Sequence, residues 1–495
     1  MQPLQRLRGL SVVGLRDLSE PTRKSVVELL VVVLSMLALL LRFWRVDSIP
    51  FGFYSDESVA LANSVCLRHT GIDLWGHSWS LFSGGPINDA GYTVSAPGHL
   101  FILYSLWLSL FGDTIAAARS FEVFISLIIV AATVGIAHNF LGRRGAIWAL
   151  GLSAISPWTW TLSRVAFVTP NFLTMHLFVG LWIITRHVRH RAGPTTTEIV
   201  IGGLLFGMAA SRYYSALSTI LVAGAFIIHF FLKKQHIRTP ITFSGIIIGT
   251  FVVMQTGLSS HTRNRISQMP ISSELRSEPT IVGKIRILIR VTGDNLLQHL
   301  SPDFLVFRGD RNLRHHSGWG GQFSWSQILL FALLPGLILT LWRRTSRMEN
   351  DARLAIIASL GALGGLVTSS ATGEQLNANR ALVSAPFLVL LCVVVGVVLA
   401  PRIEFLSVVV LGLGLTYFGL FANDYFTNYQ SRSSGYFQKQ IRIAGEVAQK
   451  TNDFDAFERR LTESAKKLGV VATVGLVFYE AANSGKGCPG YDSDR

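Results

Sequence analysis

The amino-acid sequence predicts an all-α polytopic membrane protein, and three observations carry that prediction. Half of the 495 residues are hydrophobic and 15% are charged, against about 25% charged residues in a soluble protein. Apolar runs near the length of a helical span, roughly 20 residues, recur along most of the chain. The short alternating strands of a membrane barrel are not found. In lipid the backbone must satisfy its own hydrogen bonds, so runs of this kind become helices.

In chain order the apolar segments are 26–44, 98–112, 117–140, 146–162, 165–185, 198–212, 214–232, 240–258, 324–342, 354–371, 381–399 and 403–421. The first, from Val26 to Trp44, has no small-residue cleavage site and reads as a retained span. Five basic clusters lie between segments: Arg6/Arg8/Arg16/Arg23/Lys24, Arg143/Arg144, Arg186/Arg189/Arg191, Lys233/Lys234/Arg238 and Arg343/Arg344/Arg347. If every segment crossed, the other four clusters would lie opposite the basic N-terminus, against the positive-inside rule. Segment 98–112 is short and follows Pro97. Letting it lie along the surface or re-enter places all five clusters on the cytoplasmic side. The prediction is about 11 spans, N-terminus in and C-terminus out, with surface helices in the first outer loop.

This topology divides the chain into a cytoplasmic N-terminus (1–25), a transmembrane domain (26–422) with outer loops 45–116 and 259–323, and an extracytoplasmic tail (423–495). In the tail "AFERRLTESAKKL" reads as a helix and "VVATVGLVF" as a strand, giving a small α/β unit. The glycines of "GALGG" and "GLGLTYFG" suit close helix packing. The net charge of +15 and pI near 10.1 are assigned to cytoplasmic loops rather than to nucleic acid. No internal repeat, Walker motif or strand-linked GxGxxG argues for nucleotide handling. Cys66, Cys392 and Cys488 show no metal-type spacing. Cys66 and Cys488 are free to pair if both face an oxidising compartment.

The predicted outer face collects polar groups from loops far apart in sequence. "FGFYSDESVA" brings Asp56 and Glu57, "SPWTWTLSR" brings Arg164, and "SRYYSA" brings Arg212, Tyr213 and Tyr214. "SPDFLVFRGDRNLRHHSGWGG" carries Asp310, Arg311, Arg314, His315 and His316, and "TGEQLNANRA" carries Glu374 and Arg380. Each has a plainer reading. Arginines snorkel or cap helix ends, an aspartate starts a helix, and a His-His pair is often a solvated loop. Their convergence on one face instead suits an anionic lipid headgroup and a polar acceptor. Carboxylates act as general bases on hydroxyls, and arginine forks match phosphate.

The order of these stretches resembles the GT-C superfamily of membrane glycosyltransferases, nearest to bacterial relatives of protein O-mannosyltransferases and aminoarabinose transferases. The matching stretches are "RFWRVDSIPFGFYSDESVALA", "LFGDTIAAARSFEVF", "LGRRGAIWALGLSAISPWTWTLSRVAF", "FRGDRNLRHHSGWGG" and "NANRALVSAPFLVLL". The resemblance implies a sugar carried on a polyprenyl or dolichyl phosphate and transferred with inversion on the outer face of the cell membrane. It implies a catalytic carboxylate at Asp56, with Glu57 beside it, and a surface helix before "LFG". The implied acceptor is a hydroxyl on a lipid, glycan or protein. Two positions depart from the family. Ala96 stands where many relatives carry a charge before proline, and "VAFVTPNF" lacks an acid found in some of them. Arg164, Arg311, Arg314 and Arg380 remain for the donor phosphate, and a divalent cation is the alternative to arginine. A glycan polymerase or ligase would use the same lipid substrate. A transporter or flippase would place ionisable groups at the bilayer midplane, where His176 and His229 are the main candidates.

Overall fold

The computed structural model describes residues 20–73, 76, 78, 98–167, 169–188, 193–232, 238–255, 269–343, 349–374, 376–403, 405–440, 442–443, 446 and 488. Among these residues it is helical, with no β-strand beyond one isolated bridge between Ile72 and Ser78. The tail segments 456–468 and 470–478, expected to form an α/β unit, lie outside the described residues.

Helix α1 (Glu20–Leu40) ends in a series of turns that lead to α2 (Ser55–Thr70). Helix α3 (Gly98–Phe111) packs on α2. At 14 residues it is about 21 Å long, shorter than the ~30 Å hydrocarbon core. Leu100, Phe101, Tyr104 and Leu108 face the protein, while Leu106, Leu110 and Phe111 are exposed.

Helix α4 (Ile115–Ala154) is broken at Gly142, whose φ of 71° is left-handed. The break is a hairpin. Arg42 donates to Ser126 Oγ at 3.2 Å and to Ser153 O at 3.0 Å, yet in a straight helix those residues would stand about 40 Å apart. Arg143, at the turn, pairs with Glu28 in the N-terminal half of α1 at 2.7 Å. The turn and that half of α1 therefore share one face, as the positions of the basic clusters require.

Helices α5 (Pro157–Leu162), α6 (Thr169–Ile184), α7 (Thr196–Ala210), α8 (Tyr213–Leu232) and α9 (Arg238–Gln255) follow. Then come α10 (Pro270–Ser277) and α11 (Ile281–His299). The expected segment 324–342 is two helices, α12 (Trp325–Ala332) and α13 (Leu334–Arg343), because Pro335 lacks the amide proton that would continue the first one. Helices α14 (Glu349–Ser370), α15 (Ser384–Leu399) and α16 (Leu406–Asp424) complete the bundle. The boundary placed at 422 falls inside a helical run, which continues through a wide turn at Tyr425–Tyr429 into α17 (Gln430–Ser433). Four helical runs, 115–154, 325–342, 349–370 and 406–433, are long and apolar enough to cross a membrane. Seven shorter apolar helices accompany them among the described residues.

Small residues set the tight crossings. A Cβ on Gly361, Gly364 or Gly365 would meet Phe387, Ser218 or Ser384 within 2.6 Å. Of the second glycine group, Gly414 packs against Ile155, whereas Gly412 and Gly419 face open space. Cys66 and Cys488 form a disulfide that joins α2 to the end of the chain, and Cys392 is buried and free.

Candidate active site

Two buried arginines hold the turn that leads into α2 and Asp56. Arg164, from the α5–α6 connection, uses Nη1 and Nη2 on the carbonyls of Leu41, Arg42, Trp44 and Ile49. Its guanidinium lies against the rings of Trp160, Tyr425 and Phe426. Arg119, near the start of α4, donates to Pro50 O at 2.7 Å and to Gly52 O at 2.9 Å. Its Nε and Nη2 grip both oxygens of Glu57 at 2.9 Å.

Glu57 also accepts from Ala166 N at 2.9 Å and from Tyr54 N at 3.2 Å. Both ends of this ion pair are fully buried. A buried bidentate pair with extra hydrogen bonds on the carboxylate is a stable arrangement whose loss on one side is costly. Four donors occupy the Glu57 carboxylate, so this geometry assigns it to holding the turn rather than to moving a proton. Asp56, one residue earlier, is exposed in the first turn of α2, where a negative charge also suits the helix dipole.

Gly52 completes the turn. Its φ is 118°, and a Cβ there would lie 2.3 Å from Phe437 O. Only glycine permits that approach between the loop and the segment that follows α17. Arg442 strengthens the same contact, donating to Asp47 O and lying 4.8 Å from the Phe51 ring centroid.

The loop that follows α11 meets this turn through aromatic contacts. The Arg314 guanidinium stacks 3.9 Å from the Tyr54 ring centroid, a favourable cation–π geometry. Phe167 packs edge-on between Tyr54 at 6.3 Å and His315 at 5.6 Å. His315 Nδ1 lies 3.0 Å from Asp310 Oδ2. Asp310 also accepts from Ala378 N at 2.7 Å and from Asn312 N at 2.8 Å. Burial raises the Asp310 carboxyl pKa, but these hydrogen bonds, that of His315 first, bring it below its usual value. Trp158 Nε1 donates to Ala378 O at 2.9 Å, tying the 371–383 connection to the same cluster.

The other predicted residues are placed as follows. His316 is buried and faces inward. Gly318 N donates to its Nδ1 at 3.1 Å, and burial lowers its pKa to about 4, so the ring is neutral near neutral pH. Arg311 is exposed. Arg380 is buried and pairs with Glu374. Arg212 is buried at the α7–α8 turn, donating from Nη1 to Ser211 O. The side chains of Tyr213, Tyr214 and His229 lie outside the described residues, as does Ala96. No group of three or more metal-ligating side chains occurs among the described residues.

Residues 95–257, about a third of the chain, match the family model described as dolichyl-phosphate-mannose-protein mannosyltransferase. The chain resembles membrane glycosyltransferases of the GT-C superfamily. Among solved structures it is similar to the apo oligosaccharyltransferase of Archaeoglobus fulgidus, with 13% identity and a TM-score of 0.45 over 87% of this chain and 59% of that one. It is also similar to ArnT from Cupriavidus metallidurans bound to undecaprenyl phosphate, with 13% identity and a TM-score of 0.46 over 92% of this chain and 76% of that one. The chain thus spans little more than half the length of the oligosaccharyltransferase. No curated protein matches it by sequence.

The family match runs from α3 to α9 and includes Arg119, Arg164 and Arg212; Asp56 and the loop with Asp310 and His315 lie outside it. Buried ionisable residues of the helical bundle escape a reading based on outer loops, among them Arg42, Arg119 and Glu122. Glu122 accepts from Asn171 Nδ2 at 2.7 Å. A signal for them exists in the sequence. Ionisable groups in or beside an apolar run are expensive and call for partners, and "ARSFEV" holds two of them within four residues.

Proposed function

We propose that the protein is an integral membrane glycosyltransferase. It moves a sugar from a polyprenyl- or dolichyl-phosphate carrier to an acceptor hydroxyl on the extracytoplasmic face of the cell membrane, through about 11 spans. The observation that carries this reading is the division of labour in the acidic pair. Glu57 is locked to Arg119, while Asp56 is exposed beside the junction of the two outer loops. The family description that names a dolichyl-phosphate-linked mannose supports the donor class.

In this mechanism Asp56 accepts the proton of the acceptor hydroxyl as its oxygen attacks the anomeric carbon. The bond from that carbon to the carrier phosphate breaks, with inversion, and the electron pair leaves on the phosphate. A phosphate monoester is already a weak base, so it needs electrostatic stabilisation more than a proton. Arg311 and Arg314 are the arginines assigned to it, since the Nη donors of Arg164 are committed to carbonyls and Arg380 is paired with Glu374. A divalent cation would serve the same end. The aromatic surface of Tyr54 and Phe167 suits the apolar face of a sugar ring.

The test is sugar transfer by the purified protein in proteoliposomes, comparing polyprenyl-phosphate sugars with nucleotide sugars as donors. Transfer from the lipid-linked donor alone is expected. Transfer from the nucleotide sugar alone would overturn the donor assignment.

A further inference from the structure

Helix α11 has an apolar stripe that the protein covers over only half of its length. In its C-terminal half Leu296 packs on the core and Asn295 Nδ2 donates to Ser370 O of α14 at 3.0 Å, with His299 buried on the same side. Toward the N-terminus that stripe continues as Ile281, Ile285, Leu288 and Ile289, with Val282 at its edge. These side chains are 42% to 76% exposed. At about 100° per residue they fill an arc of roughly 120°.

The charges around the arc are ordered. Lys284 borders it on one side and Arg286 on the other, both exposed, with the half-buried Ile287 and Val291 beyond Lys284. The acids lie behind it. Glu278 packs against Gly283, where a Cβ would meet its carboxyl group at 2.2 Å. Glu274 pairs with Arg290 at 2.9 Å. Both Gly283 and Arg290 face away from the apolar arc. Asp294 is exposed on that far side as well.

We propose that the N-terminal half of α11 is an interfacial anchor that lies on the bilayer and binds anionic phospholipid headgroups through Lys284 and Arg286. An apolar arc with a basic residue at each edge fits the boundary between headgroups and acyl chains. A bare apolar arc of this size is not tolerated in water, and a helix with three basic residues in ten does not suit the hydrocarbon core. The two border residues stand where lipid phosphates lie, and each is worth about fivefold in local occupancy by anionic lipid.

Two measurements on the full-length protein, with Cys392 replaced and the disulfide kept, test this. Single nitroxides are placed at Ile285, Ile289 and Asp294 in nanodiscs of phosphatidylcholine and phosphatidylglycerol. The labels at 285 and 289 are expected to collide with oxygen and to be shielded from a water-soluble nickel chelate, and the label at 294 the reverse. Equal exposure of all three to the chelate would overturn the proposal. So would dipolar broadening at 285 that vanishes on dilution with unlabelled protein, because a second copy would then cover the arc. For the headgroups, the K284Q/R286Q variant is expected to retain phosphatidylglycerol at least about tenfold less well than the parent on purification from mixed lipid. Equal retention would remove these residues as phosphate contacts.

Discussion

Arg119 and Glu57 illustrate what one residue pair can do and what a sequence can say of it. Replacing Arg119 with Met would leave the Glu57 carboxylate buried without its cation, at a cost of about 3–5 kcal/mol. The R119M/E57Q double variant should recover part of that loss, as a thermal melt in detergent would show; additive losses would mean that the two are not coupled. His316 makes a pH-dependent contribution. Its pKa is lowered to about 4 by burial, against 6.5 when unfolded. The unfolded chain therefore binds the proton first on acidification. This stability is whole above pH ~6.5 and is lost progressively as pH falls toward 4, by up to about 3 kcal/mol. His316→Asn keeps an acceptor for Gly318 N and cannot titrate, so its melting temperature should fall less between pH 7 and 5; an unchanged pH slope would clear His316. At this scale the sequence was legible for which residues of distant loops come together. Asp56, Arg314 and His315 do meet, through Tyr54 and Phe167. It was not legible for Arg164, because the carbonyls that capture a guanidinium depend on a loop conformation that no side-chain pattern encodes.

Among the elements, the turn 41–54 is the one on which the site depends. It has little regular structure and is held by arginine–carbonyl bonds and by contact with Phe437 and Arg442. Gly52→Ala places a methyl group against Phe437 O at a left-handed φ, and should cost about 2 kcal/mol or more. It should also loosen the 434–443 segment, which faster proteolysis there would report. Wild-type stability would mean that the two segments part without penalty. The helices were read well where apolar periodicity and basic clusters agree, as at the Gly142 hairpin between 117–140 and 146–162. They were read less well at 324–342 and beyond 421. Hydropathy averages over a break such as Pro335, and it ends a span where polar residues begin even when the backbone remains helical.

For the molecule as a whole, the Arg143–Glu28 pair and the Cys66–Cys488 disulfide bear on orientation from opposite ends. A disulfide belongs to an oxidising compartment, and a basic turn to the cytoplasm. Cysteine at Arg144 should therefore react with an impermeant thiol reagent only after the membrane is opened, and cysteine at Arg308 should react in intact cells. The reverse pattern would invert the topology. The helical bundle and the meeting of its long loops could be reasoned from the sequence because lipid restricts the choice of structure so strongly. The disulfide could be stated only as an option, since pairing requires two chain ends to come together across 422 residues. The most direct test of the central claim is turnover of Asp56→Asn, assayed as sugar transfer from a purified polyprenyl-phosphate donor. The substitution keeps side-chain size and removes the charge, and Glu57 and Arg119 still hold the turn. The account predicts normal folding and donor binding with a rate about 10²–10⁴-fold lower. Turnover at the wild-type rate would contradict it and leave Asp56 a helix-start residue.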